Sequence, residues 1–394
     1  MAAAAGTQCC LLEDGFLRSV GLGVDEPALS LLFDHQGIYY DAGCPSWLEH
    51  LVAQPLDVAA IARTQSLISL WRRHRVSKYN HLPEFDGPLP ARYVLLADQT
   101  FGDASLRYGQ ASAQDFTAML ESALQQHVDC SVLIKVHPDV FAGHKTGHFD
   151  LASLQNHPRV TILADNVHPV RLIEQAQAVY TVTSQIGFEA LLWDTPVFTF
   201  GMPFYAGYGL TTDAKVAPAR RQRASREQLV HAALVRYARY LDPETGALCE
   251  PERLIEWMGL QRRMRHRFAA PVYAPNFSRW KKPIVQRFFQ GAEVQFLEKA
   301  SDFPGEVDAE SVLKPCRHRR TAILDTFAQS PHPSFRPSEE NTIRRCPFGH
   351  AARTHRSPAG DSRAPRPENA VARTDAWLGY RPADRADVER NPGS

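Results

Sequence analysis

Three stretches of this sequence carry side chains of the types that act on a phosphorylated donor. In ADQTFGDAS, two carboxylates, Asp98 and Asp103, sit on a loop of small residues. A carboxylate so placed serves as a base or as a covalent nucleophile toward a sugar, and residue type and spacing leave the choice between the two open. In KVHPDV, His137 follows an apolar run, where a ring nitrogen can donate to a departing phosphate, and Pro138 fixes the turn behind it. In AVYTVTSQIGFEALLW, the turn Thr183-Ser184-Gln185 lies between an apolar run and a helix-like segment. Free backbone N–H groups and the dipole at a helix N-terminus hold an anion, and the two hydroxyls add donors. Thr183 is equally the residue type of a plain helix cap. Behind this turn, PFYAGYGLTTD packs Gly207 and Gly209 among Tyr205, Tyr208 and Asp213, the composition of a loop that faces a ligand.

Strands must deliver these loops to one place. Apolar runs bounded by turn residues predict strands at Arg92–Ala97, Ser131–Val136, Arg159–Ala164, Ala178–Val182 and Val197–Phe200. Helical spacing predicts helices over Ala113–His127 and Gly187–Trp193, and a further one ending near Ala176. Strands alternating with helices imply a doubly wound parallel sheet with ligands at the carboxyl ends of its strands. The loops at 98–109, 137–147, 165–168, 183–185 and 201–213 then share one edge. Upstream, Ser46–Trp71 reads as two helices split at Pro55, ending in the basic run RRHRVSKYN. The text from Glu13 to Asp41 reads as strand and loop, and the Pro- and Gly-containing stretch Leu82–Pro90 marks a boundary. Downstream, helices are predicted over Ser225–Tyr240 and Glu252–Arg267, preceded by a basic turn (Arg220, Arg221, Arg223) read as solvated. The division expected is a partial domain over 1–88, a Rossmann-like domain over 89–225, helices over 226–300 that cover the sheet or return to the first domain, and a tail over 301–394 too poor in apolar residues to fold.

With 44 basic and 43 acidic residues, the chain of 394 has no global field that calls for nucleic acid. Its seven cysteines are scattered without metal-ligand spacing, so neither a disulfide frame nor a zinc site is expected. No apolar run is long enough to cross a bilayer, and the start, MAAAAGTQCCLLEDG, lacks the basic and apolar regions of a signal peptide. The expected location is the cytoplasm, at most peripheral to the inner membrane.

Seven blocks, LEDGFLRSVGLG, GIYYD, SKYN, DQTFGDAS, KVHPDV, TSQIGFEALLW and PFYAGYGLTTD, in this order and at these separations, closely resemble the KpsC-type capsule polysaccharide β-Kdo transferases. The likeness runs from about Leu12 to Phe296, roughly three quarters of the chain. It implies a retaining glycosyltransferase of GT-B-like build, two Rossmann-like domains facing a cleft, the amino-terminal one incomplete here. The donor implied is CMP-Kdo (Kdo, 3-deoxy-D-manno-oct-2-ulosonic acid), and the acceptor a Kdo-bearing phosphatidylglycerol glycolipid, in synthesis of the linker that carries the capsule. No metal or other cofactor is implied. Possible partners are a second transferase module or other capsule assembly proteins.

Matched block by block, the resemblance implies that Asp103 is the nucleophile, which settles the choice with Asp98 on family grounds only. His137 would contact the phosphate and leaving group, with Pro138 beside it. Thr183, Ser184 and Gln185 would hold the CMP phosphate, and Glu189 would reach the ribose. Glu13 is the candidate acid/base, and Arg18 could pair with Kdo's carboxylate through a bidentate fork. Lys78 and Tyr205 complete the expected substrate contacts. The chain departs from the family in lacking most of a leading sheet, in its unfamiliar tail after Ala300 and in having one module where many members have two. Together these suggest a piece of a longer or split protein. The alternative reading is a non-catalytic module that binds a CMP-sugar or a partner; a nucleotide-sugar epimerase of the same build is disfavoured by Asp103 and the seven blocks.

Overall fold

A computed structural model of the chain describes residues 9–21, 26–136, 147–267, 271–289, 292–298, 302–303 and 312–313. The expected site residues His137 and Pro138, and nearly all of the tail, lie outside these. All described residues belong to one unit that extends to Ile323.

The Val- and Leu-rich runs form the predicted parallel sheet. Its strands are β3 (Tyr93–Ala97), β4 (Ser131–Lys135), β5 (Val160–Leu163), β6 (Val179–Thr181), β7 (Val197–Thr199) and the short β8 (Thr212–Asp213). Their order, β5-β4-β3-β6-β7-β8, makes β3 and β6 neighbours in the middle. β3 is buried at all five positions and β6 at all three, which explains their unbroken apolar text: strands covered on both faces need no alternation. The chain leaves β3 toward one side of the sheet and returns through β6 to build the other. The carboxyl ends of these two strands therefore flank a switch point, where a crevice opens.

The helices between the strands are α3 (Ala104–Tyr108), α4 (Ala113–Gln126), α5 (Leu151–Leu154), α6 (Val170–Glu174) and α7 (Gln185–Leu192). One face of the sheet packs against α4 through Phe116, Met119 and Ala123. On the other face, Leu95, Leu133 and Val179 join a larger core that continues through Phe188 of α7 into the amino-terminal segment.

That segment builds the second lobe together with residues from far downstream. β1 (Leu11–Asp14) and β2 (Ser30–Asp34) join β9 (Ala238–Leu241) and β10 (Leu248–Cys249) in an antiparallel sheet of order β1-β2-β9-β10. Two helices, α1 (Trp47–Val52) and α2 (Val58–His74), are split as Pro55 requires. They pack with α8 (Arg226–Val230), a π-helical segment (His231–Tyr237) and α9 (Pro251–Arg265), placing Leu67, Trp71, Leu229, Leu234 and Leu254 in one core. The helices after Ser225 thus return to the first lobe. A small parallel pair, β11 (Val272–Pro275) and β12 (Val294–Leu297), with α10 (Lys282–Phe288), follows. The result is an α/β molecule of GT-B-like build with a cleft between two lobes; the amino-terminal lobe carries a four-stranded antiparallel sheet.

Two expectations change on contact with the structure. The single helix predicted over Ser225–Tyr240 stops at Tyr237, and Ala238–Leu241 extends as β9, because that strand alternates buried and exposed positions against β2. The basic turn before it is only partly solvated: Arg221 is buried against Glu49 of α1 at 2.7 Å, and Arg220 reaches the same carboxylate at 2.6 Å, while Arg220 and Arg223 stay exposed.

Candidate active site

A cleft of about 520 Å³ opens at the switch point, walled on one side by the parallel sheet's loops and on the other by the amino-terminal lobe. Of the expected residues, Glu13, Lys78, Asp103, Thr183, Ser184, Gln185 and Glu189 all line it.

Both aspartates reach this wall in different settings. Asp98, directly after β3, is part-buried; one oxygen accepts the N–H groups of Gln99 (2.9 Å) and His148 (3.3 Å), and the other is buried without a partner. Burial pushes its carboxyl up to about 6. Asp103 stands exposed at the cleft surface, delivered there by Gly102, whose φ of +86° a side chain would strain. It caps α3 by accepting the Ser105 N–H at 2.9 Å. Both line the cleft, and Asp103 is the more exposed of the two.

Across the switch point, Ser184 caps α7, its hydroxyl oxygen accepting the Ile186 N–H at 3.3 Å. The Gln185 side chain donates to the Phe16 carbonyl (2.7 Å) and to Glu189 (3.2 Å), so this turn is tied to the opposite lobe. Thr183 is engaged already: its N–H donates to the Gln99 carboxamide oxygen at 2.9 Å, and its hydroxyl lies 2.9 Å from that of Ser105. Glu189 accepts the Lys78 N–H at 3.2 Å, while its other oxygen is buried without a partner. Burial pushes this carboxyl up to about 7, against hydrogen bonds from Ser77, the Lys78 N–H and Gln185 that favour its charged form.

The facing wall carries Glu13, on the inner face of β1, with Tyr39 and Tyr40. Burial, then the charge of Glu13, and more weakly Tyr40 and Asp103, hold the Tyr39 phenol protonated far above its ordinary value. Tyr39 thus sits within the fields of both candidate carboxylates. Its ring packs edge-on to Phe16 and Phe204, closing the floor between the lobes.

Two expected contacts point elsewhere. Arg18 is buried, with its guanidinium on Asp14 (2.5 Å), the Ser19 hydroxyl (2.9 Å) and the Glu26 carbonyl (3.0 Å). Tyr205 is fully buried and donates to the Ser184 carbonyl at 2.5 Å, so it supports the turn from behind. Residue type alone gave no sign of Gln99 or Tyr39, although both fall within blocks that carry the family resemblance. Lys135, at the end of β4, also escaped notice; burial pushes it down to about 8 while it donates to the carbonyls of Val136 (3.1 Å) and Asp165 (2.9 Å).

Carboxylates on both walls and the hydroxyl-rich N-terminus of α7 thus share one cleft between two α/β lobes. The chain belongs to the capsule polysaccharide biosynthesis protein family, which it matches over residues 1–88 and 85–240. It is similar to the capsule polysaccharide modification protein LipA of Neisseria meningitidis serogroup B, with 39% identity over 293 residues covering 71% of this chain and 41% of LipA. It therefore spans about two fifths of that relative. The lipopolysaccharide-processing protein LpsZ of Rhizobium meliloti is 34% identical over 64% of this chain and 58% of its own. Among solved structures, the chain is similar to the KpsC β-Kdo 2,4 transferase of Thermosulfurimonas dismutans, with TM-score 0.61 and 40% identity over 66% of this chain and 81% of that one. The β-Kdo 2,7 transferase of the same organism's KpsC follows, at TM-score 0.51 and 31% identity over 65% and 79%.

Proposed function

We propose that this chain is a retaining β-Kdo transferase module that moves Kdo from CMP-Kdo to a Kdo-bearing phosphatidylglycerol acceptor in building the capsule linker. The observation that carries this reading is the pair of carboxylates on opposite walls, Asp103 exposed on one and Glu13 on the other, both close enough to raise the Tyr39 phenol.

Two displacements at the anomeric carbon keep its configuration. In the first, an Asp103 oxygen attacks, a C–O bond to the enzyme forms, and the bond to the CMP phosphate breaks with its electron pair leaving on CMP. In the second, the Glu13 carboxylate takes the proton of an acceptor hydroxyl, whose oxygen attacks the same carbon and restores free Asp103. CMP's phosphate is held by the hydroxyl of Ser184 and the first turn of α7, assisted by His137 and Pro138, while Glu189 offers its unpartnered oxygen to the ribose. Thr183, occupied by Gln99 and Ser105, shapes the turn. Lys78 borders the sugar side, and no metal or cofactor enters. A location at the membrane surface follows from the acceptor; among the described residues no helix is long and apolar enough to cross a membrane.

The test is to incubate purified protein with a CMP-Kdo generating system and a synthetic Kdo-terminated lipid acceptor, reading product by mass spectrometry. Transfer that disappears in Asp103→Ala supports the reading. CMP binding without transfer at high enzyme concentration would instead support a binding module that works beside a partner, consistent with the two fifths of LipA that the chain spans.

A further inference from the structure

The carboxamide of Gln99 bridges the two strand ends that flank the switch point. Its position follows from the fold: it is the second residue after β3, beside β6, where Thr183 is the second residue after that strand. Gln99 is 8% exposed, and its side chain touches three residues of the site. The oxygen Oε1 lies 2.9 Å from the Thr183 N–H nitrogen and 3.2 Å from the Thr183 hydroxyl. The nitrogen Nε2 lies 3.3 Å from Asp103 Oδ2, 3.3 Å from Ser105 Oγ and 3.0 Å from Thr183 Oγ1.

A backbone N–H can only donate, so the amide edge facing Thr183 must be oxygen, which fixes the orientation of the carboxamide. Its NH₂ therefore points toward Asp103. Oε1 accepts the Thr183 N–H, the two Nε2 hydrogens are shared among Thr183 Oγ1, Asp103 Oδ2 and Ser105 Oγ, and the Ser105 and Thr183 hydroxyls lie 2.9 Å apart, where either can donate. Asp103 meanwhile accepts the Ser105 N–H on its other oxygen, so the carboxylate is gripped at both ends and cannot rotate freely.

We propose that Gln99 is a positioning residue that holds the Asp103 carboxylate in its reactive orientation and couples it, through Thr183, to the donor-binding turn before α7. The coupling rests on the reading of Asp103 as the reacting carboxylate. It gives the site a mechanical property: movement of the Thr183 turn when a donor binds is transmitted to Asp103 through the Gln99 amide, beside the contacts that Ser105 makes with both residues. A glutamine suits this task because it presents an acceptor to one loop and a donor to the other. A glutamate of the same shape would set a second carboxylate 3.3 Å from the first.

The test compares Gln99→Glu, Gln99→Met and Asp103→Ala in the full chain. Gln99→Glu is expected to move the acidic limb of the kcat/KM profile up by about one pH unit or more, since two carboxylates at this separation must share a proton. Gln99→Met, which keeps the bulk and loses both polar ends, is expected to lower kcat roughly 10–100-fold with a smaller change in KM. A Gln99→Glu profile that coincides with the parent, or Gln99→Met at parental kcat, overturns the proposal. Transfer that survives Asp103→Ala overturns the nucleophile assignment instead, and is recognised independently. If the parent chain transfers nothing, the Asp103 carboxyl carbon is followed by NMR, assigned by its loss in Asp103→Asn. Its titration midpoint then rises in Gln99→Glu, and an unmoved midpoint refutes the coupling.

Discussion

At the scale of single residues, the cleft separates carboxylates that are buried from one that is exposed. Asp103, an exposed helix cap, can be altered at small cost to folding, about 0.5–2 kcal/mol for loss of the cap, so its removal tests chemistry cleanly. Asp103→Asn is expected to reduce transfer by roughly 10³-fold or more, measured at saturating donor, while the thermal midpoint moves by a few degrees. Glu189 is the opposite case. Its folded-state value of about 7 lies above the 4.5 of a free glutamate. Between those values the native chain keeps a proton that the unfolded chain has lost, so this group's contribution to stability falls as pH rises through the window and is level above it. Glu189→Gln removes that dependence. Urea unfolding of variant and parent is expected to diverge by up to about 3 kcal/mol in the variant's favour between pH ~4.5 and ~7. A constant difference across that range would mean that Glu189 is ionised throughout.

At the scale of elements, α7 and the loop after β7 are fitted to one another. A Cβ added at Gly187 would lie 2.2 Å from the Tyr205 hydroxyl and 2.6 Å from its ring, so the glycine is what allows the helix to approach a fully buried tyrosine. Gly187→Ala is expected to cost about 1–3 kcal/mol despite alanine's better helix propensity, read as a lower thermal midpoint. Tyr205→Phe combined with it should recover part of the loss, because the ring carbons remain in the way. Why the sequence disclosed this element but not its fit is instructive. The run from Thr183 to Glu189 is a local pattern, a turn followed by a helix, and it reads correctly in isolation. Asp98 and Asp103 stood out together for the same reason, carboxylates on a small-residue loop, and only the family resemblance chose between them. The contacts of Gln99 with Thr183, of Phe16 with Gln185 and of Arg221 with Glu49 join residues 84, 169 and 172 apart, which no local pattern encodes. Arg220 and Arg221 read as a solvated basic turn because their carboxylate partner was invisible. Arg18, matched by its block to a substrate carboxylate, instead lies beside Asp14 four residues earlier.

At the scale of the whole molecule, the lobes are joined by buried polar ties as well as by core. Glu49 of α1 receives both Arg220 and Arg221, with the Arg221 side chain wholly buried. Glu49→Ala would leave that guanidinium uncompensated, and a loss of roughly 3–5 kcal/mol is expected in chemical denaturation. By contrast Asp194, an exposed carboxylate shared by Arg72 and Arg226, is expected to contribute about 1 kcal/mol or less, so Asp194→Asn serves as the control. The path of the chain has one more consequence. The described residues between 11 and 80 form half of a lobe whose other half comes from residues 226–265: β2 pairs with β9, α2 packs on α9, and Arg63 binds Glu250 and Glu252. The stretch joining the first part to β3 includes the exposed Asp86. A single protease cut there would sever the backbone but not these interactions, and the nicked protein is expected to stay assembled on a sizing column. Made as two separate polypeptides divided at that point, neither piece would hold both Glu13 and Asp103, so any transfer activity would have to reappear only on mixing.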